Sequence, residues 1–244
     1  MRFSIYRLSM PHLFPILILA VLLAPPTRAA PQPPSDLSAR YDVIARGVAV
    51  ADYRLRLRYP EPGRFEATTE LKPKGMLALF NKTTVRETAT GIVQNGQFLP
   101  ERYTREKTRS KDDRTDVTEF LRAQGTVRMR FQNKDSEHSL PENGLDALSF
   151  HLALMADAAQ GRIRPAYTLA DRGRIKTYTL TDEGEARIDT GLGSLNIHKL
   201  AQRSPGDDRY TVFGLAPALG YAPVMIARYK GGELDTRIVI QSRD

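Results

Sequence analysis

Apolar and polar residues alternate with period two along most of this chain. In Tyr53-Arg54-Leu55-Arg56-Leu57-Arg58-Tyr59 the tyrosines and leucines fall on one side and three arginines on the other. Successive side chains of an extended strand point to opposite faces, so this segment reads as a strand with one buried and one wet face. The same alternation marks Phe65-Ala67-Thr69-Leu71, and Val127-Met129-Phe131 with Arg128 and Arg130 outward. Between the runs, Arg46-Gly47, Pro62-Gly63, Asn95-Gly96, Asp171-Arg172-Gly173 and Gly231-Gly232 supply residues that tolerate positive φ. The pattern predicts a meander of roughly twelve to fourteen antiparallel strands, and a sheet of that size curls or closes. The expected fold class is mainly β, a large antiparallel meander curled into a half-barrel or open barrel.

One segment departs from this period. From Leu145 to Gln160, Leu145, Leu148, Leu152, Met155 and Ala159 recur at helical spacing, and Phe150 and Leu154 widen the stripe. Asn143 is a candidate N-cap with Asp146 three residues on, and Gly161 a natural C′ residue. This predicts one amphipathic α-helix packed on the concave side of the sheet, where the two apolar surfaces desolvate each other. Such an arrangement can leave a cavity between helix and sheet.

The N-terminus has a different logic. Arg2 and Arg7 precede an apolar run from Leu13 to Leu23, followed by Ala29-Ala30. That is the layout of a cleavable export signal, expected to end at Ala29. The run is interrupted by Pro15 and is far short of the ~20 apolar residues that cross a bilayer. Residues 30–37 read as a disordered leader, with Pro31, Pro33 and Pro34 opposing regular structure, and 38–242 as a single β-rich domain. The expected location is periplasmic or secreted, with no transmembrane anchor after cleavage. The chain contains no cysteine, so neither a disulfide nor a thiol-linked lipid can form.

The formal charge of +8 falls to +5 once Arg2, Arg7 and Arg28 are removed with the signal. A mild basic excess outside the cytoplasm points to anionic envelope partners such as phospholipid headgroups, and not to nucleic acid.

Catalytic constellations are missing from the sequence. Gly191-Leu192-Gly193-Ser194 lacks the strand-to-helix setting of a nucleophile elbow. His138, His151 and His198 are scattered, and no His-Glu-x-x-His pair exists. Asp112 and Asp113, flanked by Lys111 and Arg114, read as a charged hairpin tip. The expectation is a non-enzymatic protein without metal or cofactor.

Two groups of residues suit binding. The continuous apolar run Met76, Leu77, Leu79 and Phe80 reads as a helical turn or loop at the mouth of the sheet. Together with Leu148, Leu152 and Met155 of the helix it forms a candidate surface for an acyl chain or a partner protein. Arg105, Lys107, Arg109 and Lys111 share one strand face, with Arg102 and Arg114 nearby, and could present cations to phosphate or carboxylate groups.

The run Asp146-Ala147-Leu148-Ser149-Phe150-His151-Leu152-Ala153-Leu154, then Thr190-Gly191-Leu192-Gly193, then Leu215-Ala216-Pro217 leading to Pro223-Val224, resembles the bacterial envelope family DUF3108 over about Ser38 to Ser242. Where that family often has Leu-Pro-Val, this chain has Ala222-Pro223-Val224. The resemblance implies an exported, mainly β protein with no established activity. Its architecture is broadly similar to that of periplasmic lipoprotein carriers, which hold acyl chains between a curved sheet and a helical lid. The functional expectation is a passive binder of an amphipathic or apolar envelope ligand in a sheet/helix cavity. The alternative is an envelope scaffold contacting a membrane protein or cell-wall polymer.

Overall fold

Fourteen strands, each antiparallel to its neighbours, make one sheet in the computed structural model, which describes residues 33–80, 82–109 and 113–243. Residues 1–29, read from the sequence as an export signal, and residues 30–32 lie outside the described residues. The first strands are β1 (Leu37–Ala45), β2 (Val48–Glu61) and β3 (Arg64–Pro73). After a short helix, α1 (Gly75–Phe80), come β4 (Thr84–Gln94), β5 (Gln97–Thr108), β6 (Arg114–Leu121), β7 (Thr126–Phe131) and β8 (Lys134–Ser139). A longer helix, α2 (Ala147–Ala159), leads to β9 (Ala166–Asp171), β10 (Arg174–Thr190) and β11 (Gly193–Arg203). The last strands are β12 (Arg209–Ala216), β13 (Ala222–Lys230) and β14 (Glu233–Arg243).

The meander runs β1 to β8 in one direction and β14 back to β9 in the other, with β1 paired to β14 at its centre. The two free edges, β8 and β9, are therefore consecutive in sequence, and α2 connects them. Five turns, at Arg46-Gly47, Asn95-Gly96, Gln132-Asn133, Arg172-Gly173 and Gly231-Gly232, hold two successive residues at positive φ, as two-residue type I′ hairpins require. Leu37 already belongs to β1 and is buried, and the Tyr59 hydroxyl donates to the Pro34 carbonyl at 2.6 Å. The expected leader thus gives way to ordered strand one residue early.

The period-two reading of the faces holds. Tyr41, Tyr53, Leu55, Leu57, Phe65 and Ala67 are buried, whereas Arg54, Arg56 and Arg58 are exposed. Edge-to-face contacts between Tyr41 and Tyr53 and between Phe65 and Phe98 lock neighbouring inward side chains.

Helix α2 lies within the curl and packs against β3, β4 and β5 on one side and β9 and β13 on the other. The expected amphipathic character is not found. Leu148, Ser149, Phe150, Leu152, Ala153, Leu154, Met155, Ala156 and Ala158 are all buried, covering nearly every direction around the axis. A helix apolar all round is an interior helix, and the sheet wraps it instead of covering one stripe. Its N-cap is Asp146, whose carboxylate accepts from Leu148 N, Ser149 N and Ser149 Oγ at 2.8, 2.9 and 2.6 Å; Asn143 does not serve. Leu145 is extended and not helical. It bridges β9 in parallel, with Leu145 N donating to Thr168 O and Ala170 N to Leu145 O, which partners the free edge of β9. Gly161, at φ 62°, follows the helix in the left-handed conformation expected of C′.

The sheet is not closed by a ladder but by overlap. Tyr167 and Leu169 of β9 belong to the main core, while Ala170, on the opposite face of the strand, and its cross-strand partner Ile175 pack with Phe120, Val127 and Met129 in a second cluster. The inner face of β6 and β7 therefore laps over the outer face of β9 and β10, as in a scroll. A second device covers β12 and β13. The β10–β11 hairpin breaks register between Asp182 and Glu185, and its distal half crosses to β14, where Gly191 N donates to Ile240 O at 3.0 Å. A Cβ at Gly191 would lie 2.4 Å from the Gln241 carbonyl oxygen, so the close approach of the two backbones requires glycine there.

Candidate functional site

Strand polarity puts α1 and the β1–β2, β5–β6, β7–β8, β9–β10, β11–β12 and β13–β14 turns at one end of the scroll. Inside this end, above the first turn of α2, lies a cavity of about 680 Å³. It is bounded by Ala147, Phe150 and His151 of the helix, and by inward side chains of strands on both sides of the β1–β14 junction. Exposed Arg209, Arg228 and Lys230 line its rim, so it communicates with solvent.

One wall is apolar, formed by Val43, Leu71, Phe150, Phe213, Ile226 and Ile238. The other carries a ladder of polar residues in direct cross-strand register: Thr69 of β3 opposite Glu87 of β4, Glu87 opposite Arg105 of β5, and Arg105 opposite Asp116 of β6. The Glu87 carboxylate accepts from Tyr103 Oη at 2.8 Å and Thr69 Oγ1 at 3.1 Å, and lies 3.3 Å from Arg105 Nε. Asp116 accepts from Gln132 N at 2.9 Å and pairs with Arg114 Nε at 3.2 Å, while its Oδ2, buried, has no hydrogen-bond partner. Acid and base alternate along the wall, and the charge is locally balanced. Burial, with Glu87 as a second cause, pushes the Tyr103 hydroxyl well above the tyrosine range and keeps it a donor.

His151 sits on the cavity floor, its ring edge-on to Phe213 at 5.3 Å between centroids. Burial first, and the charge of Arg228 second, lower its pKa to about 4, so the imidazole is neutral at neutral pH. Its Nδ1 is buried without a hydrogen-bond partner. Arg228 projects from β13 into the cavity, and among the described residues no carboxylate pairs with it. Arg228 and the His151 side chain thus line the same space.

The residues singled out from the sequence separate into three places. Leu148, Leu152 and Met155 are sealed in the core and do not line the cavity; the helix presents Ala147, Phe150 and His151 to it. Met76, Leu77, Leu79 and Phe80 lie in α1, which is helical and exposed at the same end of the scroll but does not line the cavity, apart from those three. The basic row is not an outer strip. Arg105 is inside, held by Glu87 and near Asp116, while Arg102 lies on the opposite face in an ion pair with Glu119. Lys107 follows Arg105 toward the mouth, Arg109 is exposed beyond the end of β5, and Lys111 lies outside the described residues. His198 is not a free surface side chain, since its Nε2 lies 2.8 Å from Asp182 Oδ1. Sequence reasoning missed Glu87, Asp116, Tyr103 and Arg228. Their signal was a polar residue at an inward position of an alternating strand.

Among the described residues no group of three His, Asp or Glu side chains converges as metal ligands, and no helix is long and apolar enough to cross a membrane. Fold and site define the class: a barrel-like antiparallel sheet rolled round a central helix, with a chamber at one end. The chain belongs to the family described as protein of unknown function (DUF3108), which matches residues 40–235. In fold it is similar to the beta-barrel-like protein of domain of unknown function DUF1849 from Brucella abortus, at 9% identity and a TM-score of 0.58, over 87% of this chain and 98% of that one. A candidate lipoprotein from Parabacteroides distasonis matches at a TM-score of 0.39 and 11% identity, over 86% of this chain and 95% of that one. No curated protein matches the sequence.

Proposed function

We propose that this DUF3108 protein is an exported, non-catalytic binding protein whose chamber holds one amphipathic envelope ligand. The observation that carries this reading is the chamber of about 680 Å³, apolar on one wall and hydrogen-bonding on the other. Its volume falls within the roughly 300–1,000 Å³ of small-molecule sites. Phe150, Phe213, Ile226 and Ile238 suit an apolar tail, and Arg228, the rim cation whose charge acts on His151, suits an anionic head. Among the described residues no carboxylate orients His151, which, with its lowered pKa, speaks against general-base chemistry there. Export rests on the basic, apolar and small-residue layout of Arg2 to Ala30.

Native mass spectrometry of protein purified gently from cell envelopes tests the reading. The expected result is a co-purifying amphiphile released by denaturation. A clean apo mass, together with a covalent adduct to one envelope protein after crosslinking in cells, would instead support a scaffold.

A further inference from the structure

The end of the scroll that holds the chamber also carries the most exposed large apolar side chains of the described residues. Met76, Leu79 and Phe80 of α1 are 78, 73 and 84% exposed, and Val48 on the adjoining β1–β2 hairpin is 64% exposed. Helix α1 is held against β2, with Lys74 N donating to Val50 O at 2.9 Å, so these side chains project as one ridge. Contiguous exposed apolar surface of this kind is a contact surface. Cations flank it on both sides: Arg46 in the β1–β2 turn, Lys82 after α1, and Lys107 and Arg109 at the end of β5, brought alongside by the pairing of Thr84 with Thr108. Lys74 is already engaged by Asp42 and Asp52.

We infer that this rim docks on the surface of an anionic phospholipid bilayer, with α1 inserted at the level of the headgroups and the mouth of the chamber facing the lipid. Apolar side chains edged by lysine and arginine match the two attractions that hold interfacial helices, burial at the acyl boundary and charge pairing with anionic heads. A second copy fits less well. A symmetric contact places each patch on itself, so the face carrying Arg46, Lys82, Lys107 and Arg109 would be brought against a second face with the same four cations. The inference rests on the ridge and not on what the chamber holds.

The chain has no tryptophan, so Phe80→Trp in the full chain makes a reporter specific to α1. Vesicles of phosphatidylcholine with phosphatidylglycerol are expected to blue-shift its emission, while pure phosphatidylcholine leaves it unchanged. Adding Leu79→Ser should weaken this partition about tenfold, and Lys82→Gln several-fold. Gln97→Trp, exposed at the opposite end, reports orientation and should not shift. No shift with either vesicle, equal shifts with and without phosphatidylglycerol, an equal shift at Gln97→Trp, or a shift on raising protein concentration without lipid would each overturn the inference.

Discussion

His138 Nε2 lies 3.2 Å from the carbonyl oxygen of Gly173, joining the free edge strand β8 to the β9–β10 turn across the seam of the scroll. Ser136 Oγ donates to the same oxygen at 3.3 Å. No backbone ladder links β8 to β9, so these bonds and the Phe120-Val127-Met129-Ala170 cluster hold the overlap. Each bond is worth about 1 kcal/mol. The double variant Ser136→Ala/His138→Ala should lose about 1–2 kcal/mol and exchange amide hydrogens faster in β7–β10 than in β1–β3, measured by hydrogen exchange. Uniform acceleration across the sheet would contradict a separable seam.

Asp146 starts α2 from a buried position and satisfies two backbone N–H groups and one hydroxyl. Replacing it with Ala leaves those donors without partners in the core. Asp146→Ala should cost about 2–3 kcal/mol by urea unfolding, and Asp146→Asn, which keeps an acceptor, clearly less.

His151 and Asp146 pull stability in opposite directions as pH changes. Burial holds His151 at about 4, below its ordinary 6.5, so on acidification the unfolded chain takes up a proton that the folded one refuses. That contribution is complete above pH 6.5 and is lost as pH falls toward 4. Burial raises Asp146 from 3.8 to about 6, so its contribution is present at low pH and is lost as pH rises through 6. The two largely offset each other between about pH 4 and 6. His151→Gln removes one side of this balance. Relative to the wild type, it should gain about 2–3 kcal/mol between neutral pH and pH 4, read from urea unfolding at each pH.

The arm formed by the β10–β11 hairpin depends on Gly191. A methyl group there meets the Gln241 backbone at 2.4 Å and must displace the tip from β14. Gly191→Ala should lower stability by about 1–3 kcal/mol and raise proteolytic cleavage within the exposed 183–195 segment. An unchanged cleavage pattern would show that the close contact of Gly191 with β14 does not hold the arm.

Much of this architecture is legible along the chain because its cause is local. Tyr53, Leu55 and Leu57 alternate with arginines since one face of β2 is buried, and Asn95-Gly96 turns a hairpin since both residues tolerate positive φ. The position of α2 is also legible, but its surroundings are not. Leu145 fits the helical stripe equally well, and only the non-local bridge to Leu169 makes it extended, which moves the cap from Asn143 to Asp146. The pairing of β14 with β1, and the overlap at Ala170 and Ile175, join segments distant in sequence and leave no periodic trace. The chamber wall was hidden for a related reason. Arg105 looks like a surface cation until the register places Glu87 on one side of it and Asp116 on the other.

The central claim is that the chamber takes an anionic amphiphile by its head at Arg228 and its tail along Phe150 and Phe213. The most direct test is titration of a fluorescent fatty acid into the wild type and into Arg228→Glu, a substitution at an exposed rim residue. The account predicts saturable uptake of one molecule by the wild type and binding weakened about tenfold or more in the variant. Absence of saturable uptake by the wild type, or equal affinity in the two proteins, would contradict it.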